Sequence, residues 1–181
     1  MASSKKIPTF LGLVFLLAIE IFGIFLFLFS RKEPNLIQTI LFLISITIMW
    51  YAFHPISHYV TALRYGVRTI YFYIGKSEMG KAKVKGAKEL SSVLITVGTR
   101  LDRTQFKALE RKKRAIVYAS GAIYGMILLA ILEVIAILLD YDFYSIGLGA
   151  LFFIITLATE VTLGTKSGDL CKMKRELAKQ E

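Results

Sequence analysis

Cysteine is nearly absent from the chain. Cys171 stands alone, so no intrachain disulfide can form and nothing points to an oxidising compartment. Histidine is almost as scarce, with only His54 and His58. Acid is in short supply too: 13 Asp and Glu stand against 23 Lys and Arg, for a net charge of +10. No internal repeat or low-complexity segment is visible, and the longest apolar stretches lack the polar stripe of a soluble amphipathic helix. Hydrophobicity fills the gap. Of the 181 residues 55% are hydrophobic and the mean hydropathy is +0.59, more than an ordinary soluble domain carries. Crossing roughly 30 Å of hydrocarbon takes about 20 apolar residues, and the sequence supplies four such runs.

The first run spans about Ile7 to Phe29, between Lys5-Lys6 and Arg31-Lys32. It is longer than a signal-peptide core and no small-residue cleavage site follows, so it reads as an uncleaved anchor helix. Glu20 interrupts it and needs a protein-facing side. Pro34 and Asn35 open a second run from Leu36 to about Phe53, continuing through His54-Pro55-Ile56-Ser57-His58 to Arg64. Proline lacks an N–H and crowds the preceding turn, so this helix is expected to kink or start afresh near His54. The segments Val67 to Ile74 and Ser91 to Val97 read as strands, with Gly75, Gly80 and Gly86 marking turns. A short amphipathic helix should begin near Asp102 or Arg103. A third run goes from Ala115 to Leu139, Asp140 to Phe143 turn the chain, and a fourth run covers Ser145 to Leu163.

Charge sets the expected orientation. From Arg64 to Arg114 there are 14 Lys or Arg against 4 Asp or Glu, a net +10 that equals the charge of the whole chain. Cationic loops stay in the cytoplasm, which places this loop, both termini and the charged tail there. The expected fold is an all-α polytopic membrane protein with four transmembrane helices and a small cytoplasmic β-hairpin region between helices 2 and 3. Residues 1–34 form an accessory N-terminal helix; residues 35–181 form the core, with the basic loop 65–114 and the tail 166–181.

His54 and His58 are four apart in a helical run, so their imidazoles project from one face, a turn apart. Neutral ring nitrogens so placed can hold a divalent metal, zinc at about 2.0–2.1 Å. Two interfacial histidines bonded to neighbours fit the same spacing. The surroundings add a resemblance: HPISHYVTALRYGVRTIYFYIG resembles the zinc-binding helix and following strand of the site-2 protease family of intramembrane metallopeptidases, whose helix reads H-E-x-x-H. Downstream, RKKRAIVYASGAIYG is similar to the family's next core helix with its A-G-P-x-x-N-like segment, and LGTKSGDLCKMKREL lies where the family carries L-D-G. The match covers roughly residues 36 to 175.

The resemblance implies that His54 and His58 are the histidine ligands and Asp169 the carboxylate ligand of a zinc site with an open fourth position. Without it, Asp169 reads as an acid at the N-terminus of a tail helix. The departures bear on activity. The family's general base follows its first histidine, and Pro55 occupies that place. A general base contributes about 10²–10⁴-fold in rate, and proline cannot act as one. Gly121-Ala122 replaces the family's Gly-Pro, and Gly125 its substrate-holding asparagine; Gly121-x-x-x-Gly125 is also a close-packing motif of membrane helices. Glu160 is the acid best placed to stand in, as a relocated base or a fourth ligand, while Glu133 lies toward the other half of the membrane.

Three functions remain open. The first is a divergent, peptidase-inactive relative of that family which binds a divalent metal and acts through a membrane protein partner. The second is an active intramembrane zinc metalloendopeptidase that cleaves a membrane protein substrate. The third is a small structural subunit of a membrane complex without metal. The basic loop is expected to face anionic lipid headgroups, each cation contributing about 1 kcal/mol. No nucleic-acid recognition fold is visible, so no nucleic-acid partner is expected.

Overall fold

The computed structural model describes residues 5–76, 95–164 and 168–178. The turns expected at Gly80 and Gly86, and residues 91–94 of the second expected strand, lie outside them. In chain order the elements are β1 (Lys5–Pro8), α1 (Thr9–Ser30), α2 (Asn35–Arg64), β2 (Thr69–Lys76), β3 (Ile95–Leu101), α3 (Arg103–Ala108), α4 (Arg111–Leu138) and α5 (Phe143–Thr159). A π-helical turn, Glu160–Gly164, continues α5, and α6 (Asp169–Ala178) ends the described chain.

Four helices are long and apolar enough to cross a membrane: Thr9–Ser30, Asn35–Arg64, Arg111–Leu138 and Phe143–Thr162. At 1.5 Å per residue even the shortest of them, the 20 residues of Phe143–Thr162, reaches about 30 Å, enough for the hydrocarbon layer. The protein is thus a four-span, all-α membrane protein with a small sheet at one end. Its outer surface is lipid-like: Phe10, Ile21, Phe25, Leu36, Val134, Leu138 and Phe143 are all exposed.

Helix α2 is the central post, with α1, α4 and α5 packed around it. One core joins Phe27 of α1, Phe42, Ile46 and Met49 of α2, and Leu129, Leu132 and Ala136 of α4. Its aromatic centre is Phe27, Phe42 and Tyr141, whose ring centroids lie 5.2–5.7 Å apart, within the range where tilted rings attract. The Tyr141 hydroxyl is satisfied by Ser30 and by the Phe27 carbonyl. Nearby, Gln38 accepts from the Asp142 N–H at 2.9 Å, and Thr39 shares a hydrogen bond with Ser145 at 3.0 Å. These contacts close the end of the bundle remote from the sheet.

The sheet is where the structure adds most. It has three antiparallel strands in the order β1-β2-β3, with Ile7 opposite Phe72 and Ile74 opposite Val97. The hairpin expected between helices 2 and 3 is there, and the N-terminal Lys5–Pro8 adds a third strand to it. Phe72, fully buried, packs with Leu16 of α1 and Ala52 and Ile56 of α2, seating the sheet on the bundle.

Local chemistry explains the turns. Helix α2 stops at Gly66, whose φ of 75° is left-handed. The Gly66 N–H donates to Leu63 and the Val67 N–H to Ala62, both at 2.9 Å, a Schellman closure. Val67 is used up in that closure, so β2 begins at Thr69, two residues after the sequence pattern suggested. The same closure ends α4, with Asp140 at φ 56° in the left-handed place. Replacing Asp140 by glycine removes that strain and should raise stability by about 1 kcal/mol, measured by denaturation in detergent. Asp102 and Asp142 then cap α3 and α5, each accepting from two backbone N–H groups at 2.8–3.1 Å.

One expectation needs correcting. Helix α2 neither stops nor restarts at His54: Pro55 lies inside a continuous helix, Asn35–Arg64. Pro55 is fully buried there, and membrane helices carry proline where packing against neighbouring helices supports them.

Candidate metal centre

Three elements meet beside the sheet end of the bundle. Helix α2 presents His54 and His58 on the face turned to α4, and the first residue of α6 brings Asp169 up to them. The Asp169 Oδ2 atom lies 3.2 Å from His54 Nε2 and 3.0 Å from His58 Nε2, and the two Nε2 atoms are 3.3 Å apart. Among the described residues this is the cluster of three side chains able to hold a metal ion. The residues singled out from the sequence as ligands therefore converge on one point.

The distances suit a metal. Ligand atoms held tetrahedrally at about 2.0–2.1 Å from zinc lie about 3.3–3.4 Å from one another. The observed edges fall within a few tenths of an ångström of that. All three side chains are also part-exposed, at 26%, 14% and 21%, so the cluster is not sealed from solvent.

Hydrogen bonding sharpens the case. His58 Nδ1 lies 2.8 Å from the Val117 carbonyl oxygen of α4. A carbonyl only accepts, so Nδ1 carries the proton. The Ser120 hydroxyl, 3.2 Å from the same nitrogen, donates to the Val117 carbonyl at 2.9 Å. A neutral His58 then has a bare lone pair on Nε2, aimed at an anionic carboxylate oxygen and at a second imidazole nitrogen. Such an arrangement is repulsive unless a cation lies between the groups or the ring itself is protonated. Carbonyl-anchored imidazoles are the usual dress of metal-binding histidines.

Asp169 is held from behind. Lys172 Nζ lies 3.0 Å from Oδ1, leaving Oδ2 for the imidazoles, and stands 5.9 Å from the centroid of the Tyr118 ring. Burial pushes the Asp169 carboxyl toward its neutral form. With protonated imidazoles donating to it, hydrogen bonds from His54 and His58 together with the charges of His58 and Lys172 overcome this and hold it well below the usual carboxylate range. Replacing Lys172 by methionine should lower zinc affinity about 10-fold to 100-fold, measured by competition with a chelator, while Lys172→Arg should retain most of it.

Helix α4 can approach this closely because of Gly121. A Cβ added there would meet His58 Nε2, and would stand 2.6 Å from His54 Nε2 and 2.7 Å from His54 Cε1. Gly125, one turn on, makes similar room for the Trp50 indole, 3.0 Å from such a Cβ. Gly121 therefore forms the floor beneath the two imidazoles, and Gly125 is a packing position against Trp50. Glu160, at the start of the π-helical turn, is half-buried and within electrostatic reach of His54, Asp169 and His58, yet it stands outside the three converging ligand atoms. π turns of this kind recur beside functional sites.

Glu20 and Glu133 are a different matter. One carboxylate oxygen of each is buried without a hydrogen-bond partner among the described residues. Glu133 packs against Gly149 and Phe42, on the α2–α5 side of the bundle. Sequence reasoning had marked the site ligands but missed Lys172, Val117 and Ser120. The spacing Asp169-x-x-Lys172, an i,i+3 pair on a helix, was the available signal.

No family model matches the chain, and no curated protein or solved structure matches it either.

Proposed function

We propose that the chain is a divergent, peptidase-inactive, site-2 protease-like membrane protein that binds a divalent metal and acts through a membrane protein partner. The supporting observation is His58, whose Nδ1–H is committed to the Val117 carbonyl while its Nε2 faces His54 Nε2 and Asp169 Oδ2. Two imidazoles and one carboxylate form a zinc-type donor set. A bound zinc would supply a Lewis acid there. The chain's own part is to set the geometry: the carbonyl of Val117 fixes the His58 tautomer, Lys172 turns one oxygen of Asp169 inward, and Gly121 keeps α4 close.

The residue that takes a proton from the attacking water in the family has no counterpart here. Pro55, next to His54, has neither a titratable group nor an N–H, and it is fully buried in α2. This is why binding is ranked above turnover. The positive-inside rule supports placing both termini and the 65–114 loop on the cytoplasmic side, where the loop cations would face anionic headgroups.

Glu160 favours the second reading, an active intramembrane metallopeptidase, because its carboxyl is within electrostatic reach of the three ligands. Reconstitution of the zinc-loaded protein with transmembrane peptide substrates separates the two. We expect no cleavage above that of the His58→Ala variant. Cleavage lost in both His58→Ala and Glu160→Gln would instead establish the peptidase.

A further inference from the structure

We propose that α6 is a strap which the metal fastens, and that Arg114 and Glu176 are the positioning pair that delivers the third ligand. The inference rests on the metal reading above. Among the described residues of α6, Asp169–Ala178, none is fully buried. Its docked side is instead polar. Asp169, Lys172 and Glu176 are spaced three and four apart, hence on one helical face. They meet the imidazoles, the Tyr118 ring and Arg114 respectively. Leu170, Met173 and Leu177 follow the same spacing one residue on; Leu170 and Met173 are only half-buried and Leu177 is 40% exposed.

A helix seated by apolar burial holds its place without a ligand. This one buries no side chain fully and is held by ion pairs beside half-buried Leu170 and Met173, so its position depends on those pairs and on whatever joins Asp169 to the histidines. Arg114 is well placed to aim it. Its Nε donates to Glu176 Oε2 at 2.7 Å, while Nη1 donates to the carbonyls of Lys107 and Leu109, each at 2.9 Å. The guanidinium is thereby fixed to the end of α3, and the pair is largely shielded, at 17% and 14% exposure. His54 and His58 stand ready on α2, whereas the carboxylate arrives with α6. Docking of α6 and metal binding must then favour each other reciprocally.

Cys171, the only cysteine in the chain, lies on α6 and reports its position. The test uses the full chain in detergent, with zinc titrated against a chelator and Cys171 labelled by a maleimide. For the wild type, zinc should slow labelling by about an order of magnitude. Glu176→Lys, which sets a like charge against Arg114, should lower zinc affinity about 10-fold to 100-fold and restore fast labelling at a zinc level that saturates the wild type. Glu176→Gln, which keeps the shape, should show a smaller loss in the same direction. Lys174→Glu, on the exposed side of α6, should stay within about twofold. Zinc affinity unchanged in both Glu176 variants, or wild-type labelling indifferent to bound zinc, would overturn the strap. A wild type that takes up no zinc at all would overturn the metal reading instead, so the two failures are told apart.

Discussion

Valine at position 121 is expected to cost about 100-fold in zinc affinity while leaving the four-helix bundle folded. The Cβ of any side chain at Gly121 falls on the Nε2 atoms of His58 and His54, the atoms that face the metal position. Either the imidazoles swing away from Asp169 or α4 backs off from α2. Crowding of this kind costs roughly 1–3 kcal/mol, and each 1.4 kcal/mol charged to the bound state is tenfold in affinity. Alanine should give an intermediate loss. Gly125→Ala is the control: it crowds Trp50, one turn away, and should change zinc affinity little. Size-exclusion behaviour and helical circular dichroism of the variants check the fold, and chelator competition reads the affinity. Equal affinities at 121 and 125 would mean that α4 does not form the floor of the site.

Phe42→Ala should be the most damaging of the core truncations, at about 3–5 kcal/mol. Phe42 is fully buried and its ring meets both Phe27 and Tyr141, so one truncation empties the junction of α1, α2 and the α4–α5 turn. It also lies against Glu133 and Gly149, so the space left would border a carboxylate oxygen that has no partner among the described residues. Reversible unfolding in detergent, followed by circular dichroism, measures the loss. The site lies at the other end of α2, so the folded fraction should keep its metal affinity. A loss below about 1 kcal/mol would show that lipid-like detergent fills the gap, and that the aromatic cluster is not the keystone of the bundle.

The membrane architecture was legible because it rests on the strongest signal a sequence carries, apolar runs long enough to span hydrocarbon. The short helix after Asp102 and the turn at Asp140–Phe143 were legible for a related reason: acidic residues at those places cap helices, and the structure uses Asp102 and Asp142 in that way. Strand β1 was not legible. Lys5-Lys6-Ile7-Pro8 looks like the cationic flank of a membrane span, and only its pairing with residues more than sixty positions away makes it a strand. No local pattern records such a partner.

That α2 does not start afresh at His54 was not legible from the missing N–H and the ring clash alone. The surrounding bundle outweighs that local cost, since Pro55 is buried against its neighbours. The histidine pair was plain from its i,i+4 spacing, but its meeting with Asp169 across more than a hundred residues came from motif order. What fixes the centre could be read only from three-dimensional contacts: the Val117 carbonyl on His58, Lys172 behind Asp169, and Gly121 beneath both rings.

The most direct test of the central claim is the zinc content of detergent-purified protein, loaded with zinc and desalted, for the wild type beside His58→Ala and Asp169→Ala. The arrangement of the three side chains predicts about one zinc per chain in the wild type and a loss in both variants. A wild type that holds no zinc would contradict the account. His58 would then be a protonated ring paired with Asp169, and the cluster an ion pair within the bundle.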